Sequence, residues 1–314
     1  MSNPLVSILV LTYQQEKTIS QSIESILAQK TMYHFEIIIG EDGSKDNTRK
    51  ICEQYVIKYP HIVKMLPSAP NKGLMINYLD CIKAARGKYI MGCAGDDYWP
   101  NENKIERQVN FLEEHKDHVF VCGLTKHINE SNGSVRIERF KPFKDNLYRQ
   151  LMIEKMFFTV GTICFRKESL PIDVFKKFVE AGYVCEDYPM VLWLSKQGKA
   201  SMLNEIFLAH RFYAGSISNA ATFDSRISFV KALCDIRSDF MKLYPNEVSQ
   251  QELDDSLYRS YYANSVKYNK RALAEEYLQK IEKKSLRDRV ILMLCKTNIG
   301  YSLLRRAIRS LIVT

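Results

Sequence analysis

Over about its first 125 residues the chain alternates apolar runs of strand length with segments of helical period, which limits its fold more than any other feature. Val6–Thr12 reads VSILVLT, with no charge, as a strand covered on both faces requires. Residues 17–29 place Ile19, Ile23, Ile26 and Leu27 at helical spacing. A strand over 35–40 follows. Asp46 or Asn47 can cap a helix running to about Tyr59. The pattern then gives a short strand at 63–66 and a helix over 74–85 that stops at Arg86-Gly87. A strand over 89–93, a helix over 104–115 and a strand over 119–124 complete it. Strand–helix–strand repeats of this kind form right-handed crossovers and a mostly parallel sheet flanked by helices.

Beyond this region the pattern loosens. Ser131-Asn132-Gly133-Ser134 marks a hairpin turn, 160–165 reads as a strand, 172–181 and 188–196 as helices, and 207–213 as a strand. From about residue 224 the pattern is helical and increasingly basic. At 314 residues there is room for one large α/β domain plus an appendage, or for two modest domains. Eight cysteines stand singly among apolar residues without a CxxC pair, which predicts buried free thiols and no zinc site. The start, Met1-Ser2-Asn3-Pro4, has no basic leader, and no apolar run nears the ~20 residues of a membrane span. The expectation is a cytoplasmic protein whose membrane contact, if it has one, is peripheral.

Open parallel sheets bind ligands at the carboxyl ends of their strands. The first strand ends at Thr12-Tyr13, the second at Glu41-Asp42-Gly43-Ser44, the fourth at Asp96-Asp97. These ends should share one rim and crowd carboxylates together, a repulsion that a cation relieves. Mg²⁺ or Mn²⁺ held by a carboxylate plus substrate phosphates is the natural resolution. The formal net charge of +9 also points to an anionic partner.

Five motifs in order give the chain a specific likeness. VSILVLTY at the start, EDGSKDNT at 41–48, NKGLMIN at 71–77, GDDYWPNENKIERQ at 95–108 and Cys185-Glu186-Asp187-Tyr188 resemble those of the family 2 glycosyltransferases. The resemblance covers about residues 4–218. It implies a GT-A fold: a Rossmann-like, mostly parallel α/β sheet flanked by helices, with a C-terminal helical segment. The expected organisation is a catalytic domain over 1–220, with a donor-binding half at about 1–125 and an acceptor half at about 126–220. A helical region over 221–314 follows. The implied activity is inverting transfer of a monosaccharide from a nucleotide sugar, most simply a UDP-sugar, to a hydroxyl of a glycan or lipid-linked acceptor, in surface polysaccharide assembly.

Residue roles carry over position by position. The resemblance implies that Thr12, Tyr13 and Asp42 contact the nucleoside, that Asp96 lies near the ribose, and that Asp97 binds the divalent metal, Mn²⁺ or Mg²⁺. Asn71, Lys72 and Gly73 line the donor pocket. Asp187 is the general base, with Glu186 beside it. Two departures stand out. Gln14 replaces the usual Asn after Tyr13, and Glu41 replaces the first Asp of the turn. In the segment His210-Arg211-Phe212-Tyr213-Ala214-Gly215-Ser216-Ile217-Ser218, Arg211 fits a phosphate contact but Tyr213 takes the place of a family histidine. His210 itself reads as a structural histidine, and Trp99 as a packing residue.

Each motif also has a structural reading. The turn at 41–44 could be only a turn, and Asp96-Asp97 or Glu186-Asp187 could be helix caps; their joint order favours the functional reading. A nucleotidyltransferase would need a Gly-rich phosphate loop after the first strand, where Tyr13-Gln14-Gln15-Glu16-Lys17 has no glycine. A nucleic-acid-binding protein is weighed on charge alone, and no aromatic-basic interleaving supports it. No G-x-G-x-x-G follows a strand, which argues against a dehydrogenase. Residues 283–314 hold eight basic residues against one acid, Asp288, and so seven of the nine net positive charges. There Ile299, Leu303, Leu304, Ala307, Ile308 and Leu311 would form an apolar face, with Arg305, Arg306 and Arg309 opposite. Such a helix either lies on an anionic membrane or packs on the protein.

Overall fold

The computed structural model describes residues 3–68, 70–154, 156–212 and 222–313, with side chains to residue 307. Tyr213, Ser216 and Ser218 therefore lie outside the described residues, as do the side chains of Ile308, Arg309 and Leu311. Chain contacts divide the protein into two compact units, one of Met1–Tyr148 and Met156–Phe212, the other of Arg149–Lys155 and Tyr213–Thr314.

The first unit begins β1 (Val6–Thr12), α1 (Ile19–Leu27), β2 (Phe35–Glu41), α2 (Thr48–Lys58), β3 (Val63–Met65), α3 (Leu74–Ala84), β4 (Tyr89–Ala94) and α4 (Lys104–Glu114). Then come β5 (His118–Asn129), β6 (Val135–Ile137), a helix α5 (Leu147–Ile153) whose residues from Arg149 on belong to the second unit, β7 (Cys164–Arg166), α6 (Ile172–Glu180), α7 (Asp187–Gln197) and β8 (Lys199–Phe212). The sheet runs β3-β2-β1-β4-β7-β5-β6, with β8 on the other side of β5. β1 lies parallel between β2 and β4, pairing Thr12 with Glu41 and Leu11 with Ala94. Those three carboxyl ends therefore open on one edge. β7 runs antiparallel to both β4 and β5, so the sheet is mixed beyond β4.

Helical period and strand alternation explain the packing. Ile19, Ile23 and Ile26 of α1, and Ile105, Val109 and Leu112 of α4, stand three or four apart and share a core with Val6, Ile8 and Val10 of β1. All eight cysteines are free, six of them buried. Sequence expectation fails at three places. Residues 160–162 form a single 3₁₀ turn, leaving only Cys164–Arg166 as strand. β8 begins at Lys199, eight residues before the apolar run. The seven-residue α5 is too short to show a period.

Glu36 is an acid buried within β2, and its surroundings neutralise it. Its carboxylate accepts hydrogen bonds from Ser7 Oγ (2.8 Å), Arg86 N (2.9 Å), Arg86 Nη2 (2.8 Å) and Lys64 Nζ (3.0 Å). Burial alone would raise its pKa, but the Arg86 and Lys64 donors hold it down to about 2, below the ordinary 4.5. The folded pKa lies below the unfolded one. The network thus stabilises the fold above about pH 4.5, and this contribution fades as pH falls toward about 2. Glu36→Gln is expected to cost on the order of 2 kcal/mol at neutral pH, with the difference shrinking on acidification. Denaturant midpoints of the two chains measure it; equal midpoints at neutral pH would rule the role out.

The second unit contains α8 (Phe223–Leu243), α9 (Gln250–Lys267), α10 (Arg271–Lys280), α11 (Leu286–Cys295) and α12 (Asn298–Val313). Tyr262 and Val266 of α9, Ala274 and Leu278 of α10, Ile291 and Cys295 of α11, and Tyr301 and Leu304 of α12 close over one core. Ser249 and Ser285 begin α9 and α11 with reciprocal side-chain caps to Glu252 and Asp288. Among the described residues no helix is long and apolar enough to cross a membrane.

Candidate active site

The rim is built from tight turns. After β1, Gln14 takes a left-handed φ of 53°, a region where Asn is far more comfortable than Gln, which explains the family preference at this position. Side chains of the second turn hold the first. Gln14 N–H donates to Ser44 Oγ (2.9 Å) and Gln15 N–H to Thr48 Oγ1 (2.8 Å). Glu41 accepts from Ser44 N–H (2.6 Å) and pairs with Arg49 (3.3 Å), so it braces the turn from within. Thr12 is buried, and its Oγ1, like Gln15 Oε1, has no protein partner. Both face Gly95, where a Cβ would lie 2.4 Å from Gln15 Oε1 and 2.6 Å from Thr12 Oγ1. Glycine is therefore required there, and two unpartnered oxygens meet beside the Asp96-Asp97 turn. Tyr13 is exposed.

Asp42 is buried and faces the 71–73 turn. Its oxygens accept from Lys72 N–H (2.9 Å) and Gly73 N–H (3.0 Å). Gly73 has φ 85° and ψ 159°, which only glycine adopts without strain. The Lys72 ammonium pairs with Asp80 (2.7 Å), and Asn71 is exposed. From this turn α3 runs back across the unit. Asn77 donates to Gly40 O of β2 (2.7 Å), and the Tyr78 hydroxyl donates to Met190 Sδ of α7 (3.2 Å). One helix thus ties the turn at Asp42 to the element that carries Glu186 and Asp187.

The densest charge cluster surrounds Asp97. Tyr98 and Ala209 exchange backbone hydrogen bonds of 3.2 and 2.8 Å, which stitches β8 to the turn after β4. That contact sets His210 Nδ1 3.2 Å from both Asp97 oxygens and brings Arg211 N–H to Asp97 Oδ1 at 3.0 Å. Burial would lower the His210 pKa, but the bond to Asp97 and the charges of Asp97 and Asp96 raise it. Burial and then the Asp97 charge push the Asp96 carboxyl up to about 6. The Arg211 guanidinium donates to Asp96 O (2.8 Å), pairs with Glu130 (3.0 Å), contacts Gln21 and lies 4.8 Å over the Tyr98 ring. It braces the turn, with several donors already engaged.

Trp99 is buried, with the Lys104 ammonium 3.9 Å over its ring. Lys104 is itself fully buried and donates to Gly161 O (2.8 Å), and burial lowers its pKa to about 7. Gln108 adds bonds to Thr162 O (2.8 Å) and Val121 O (3.1 Å). Lys104 and Gln108 therefore shape the turn at 160–162.

Glu186 and Asp187 open α7, both half-buried. Asp187 accepts from Tyr188 N–H (2.7 Å). Burial and then the Asp187 charge raise Glu186 to about 8, and burial raises Asp187 as well.

Among the described residues no three His, Cys, Asp or Glu side chains group as a metal site. Asp97 and His210 still fit a cation that takes its other ligands from a diphosphate, as Mg²⁺-type ions commonly do. They offer a carboxylate and an imidazole side by side, next to an Asp96 carboxyl raised by burial and by the Asp97 charge. The sequence reading takes His210 as a structural histidine; its contact with Asp97 comes from the long-range pairing of Tyr98 with Ala209, which no local pattern shows.

An open sheet of this topology with an acidic rim at the carboxyl ends of its first strands is compatible with a GT-A glycosyltransferase. The chain matches glycosyl transferase family 2 over residues 7–171, just over half its length, and it belongs to that family. It is 28% identical over 223 residues to an uncharacterized protein of Mycobacterium tuberculosis, Rv1520, spanning 70% of this chain and 62% of that one. The fold resembles S. aureus TarS 1–349 in complex with UDP-GlcNAc, with TM-score 0.60 and 16% identity over 97% of this chain and 91% of the other. It also resembles the mannosyltransferase PcManGT from Pyrobaculum calidifontis in complex with GDP-Man and Mn²⁺, with TM-score 0.56 and 14% identity over 100% and 86%. At these identities the likeness is one of fold.

Proposed function

We propose that this glycosyltransferase moves a monosaccharide from a UDP-sugar to a hydroxyl of a glycan or lipid-linked saccharide, with inversion at the anomeric carbon, in surface polysaccharide assembly. The observation that carries the reading is the Asp97–His210 pair, set on the same sheet edge as Thr12 and Asp42. In this reading Thr12, Tyr13 and Asp42 receive the nucleoside, with the turn at Asn71, Lys72 and Gly73 beside it. Asp96 lies near the ribose. Asp97 and His210 hold Mn²⁺ or Mg²⁺ over the diphosphate. Arg211, braced by Glu130, faces the same charge.

Sugar transfer releases a nucleoside diphosphate, so negative charge grows on the leaving group. When bound, the cation would stabilise that charge as a Lewis acid. The chain's own residues do the rest. Asp187 takes the proton of the attacking hydroxyl. Glu186, raised to about 8, is protonated at neutral pH and offers a donor to the acceptor. A single displacement then inverts the centre and needs no nucleophilic carboxylate. Support for a nucleotide-sugar donor comes from the fold neighbours, which are in complex with UDP-GlcNAc and GDP-Man.

The test is a panel of UDP-, GDP- and other nucleotide sugars with and without Mn²⁺, read by thermal shift and by nucleoside diphosphate release. A ligand that binds only the native state raises the melting temperature. A UDP-sugar should give the largest metal-dependent shift and should release UDP. A larger shift with a GDP-sugar would reassign the base. Release of inorganic diphosphate would mark nucleotidyl transfer, and no shift with any donor would overturn the reading.

A further inference from the structure

The basic C-terminal helices do not pack the way their sequence pattern suggests. The expected single apolar face is split. Leu304 points into the core with Tyr301, while Ile299 and Leu303 stay 78% and 55% exposed. Arg306 is exposed beside them rather than opposite, and Arg305 is half-buried. On α11 the same division holds. Ile291 and Cys295 enter the core, whereas Leu286, Val290 and Met293 are 80%, 48% and 71% exposed. These three stand at i, i+4 and i+7, within about 60° of helix surface at ~100° per residue. Both helices turn their buried faces into one shared core, so both exposed rows face away from it.

Within residues 283–307 the exposed charges have one sign. Lys283, Arg287, Arg289, Lys296 and Arg306 are exposed. The one acid between residues 283 and 307, Asp288, is buried, accepts from Ser285 and pairs with Arg259 (3.1 Å). Solvent therefore meets large apolar side chains interleaved with cations that no exposed acid of the same segment offsets.

We propose that this face of α11 and α12 docks the chain on an anionic lipid surface, the helices lying in the plane of the interface. A bilayer interface takes up both features at once: Leu286, Val290, Met293, Ile299 and Leu303 enter the acyl boundary while the cations meet lipid phosphates. A second copy of the chain would set cations against cations. A nucleic acid would match the cations but leave the apolar rows in water. The proposal concerns the helical unit alone and stands apart from the donor chemistry.

Co-sedimentation of the full chain with vesicles tests it, using phosphatidylcholine alone and phosphatidylcholine with phosphatidylglycerol in equal parts. The parent chain should pellet with the anionic vesicles at low salt, and less so with neutral vesicles or added salt. Met293→Glu with Leu303→Glu should reduce the bound-to-free ratio at least about tenfold with melting unchanged, because both side chains are already in water. Arg289→Gln with Lys296→Gln should weaken binding to anionic vesicles and leave the weak neutral binding alone. Parent-like pelleting of the Glu pair, or a parent chain that stays in the supernatant, overturns the proposal. So does a dimer in sedimentation velocity that the Glu pair dissolves without any vesicle binding, which would assign the face to a second copy.

Discussion

Asp187→Asn is expected to lower sugar transfer by about 10²–10⁴-fold, the range that a positioned base contributes, with nucleotide affinity close to that of the parent chain. The substitution is chosen for what it keeps. The Asp187 carboxylate accepts the Tyr188 N–H at the start of α7, and an amide oxygen accepts the same bond, so the helix start survives. What disappears is a group able to take a proton. The neighbouring acid sharpens the assignment. Burial and the Asp187 charge raise Glu186 to about 8, and burial raises Asp187 as well; in the proposed roles Asp187 is the acid that takes the acceptor's proton. Glu186→Gln should therefore retain far more activity than Asp187→Asn. Turnover under saturating donor and acceptor, with nucleotide binding by calorimetry, reads both. A dead Glu186→Gln beside an active Asp187→Asn would exchange the two roles. Loss of nucleotide binding in Asp187→Asn would move that residue to the donor side.

The sequence revealed most where a local pattern and a buried environment coincide. β1 could be read because a strand flanked by β2 and β4 and covered on both faces must be apolar along its length. α1 and α4 showed because three buried residues recur at helical spacing in each. The acidic rim followed from the same reading, since Asp42 and Asp97 follow the apolar strands β2 and β4 within three residues. Long-range pairing was hidden. Residues 160–165 are apolar and β-branched and so resemble a strand, yet Gly161 sits where a Cβ would come 2.8 Å from Leu208, and its carbonyl is held by Lys104 from α4. The first half of β8 alternates weakly and pairs with β5 through register shifts, so it carries little period-two signal. The contact of His210 with Asp97 was hidden for the same reason, since the two lie 113 residues apart in sequence.

That distant pair supports the other large effect. Asp97→Asn should remove metal-dependent nucleotide binding and lower transfer by at least about 10²-fold, the several kcal/mol a cation contributes to a departing diphosphate. Without ligand the same change should leave the fold as stable as before, or slightly more so. The Asn oxygen keeps the Arg211 N–H bond, and the repulsion that helps push Asp96 up to about 6 is relieved. The loss of the His210 ion-pair partner works against that gain, and with His210 more than a quarter exposed it offsets only a part. Ligand-free and ligand-bound melting therefore move independently. The variant should match the parent without additions and lose the gain that nucleotide with Mn²⁺ gives the parent. EDTA should reduce the parent to the variant's behaviour and leave the variant unchanged. A variant that keeps the full Mn²⁺-dependent gain would take Asp97 out of the metal site. A parent indifferent to EDTA would remove the cation from the mechanism, leaving His210 and Arg211 as the positive charges closest to the leaving group.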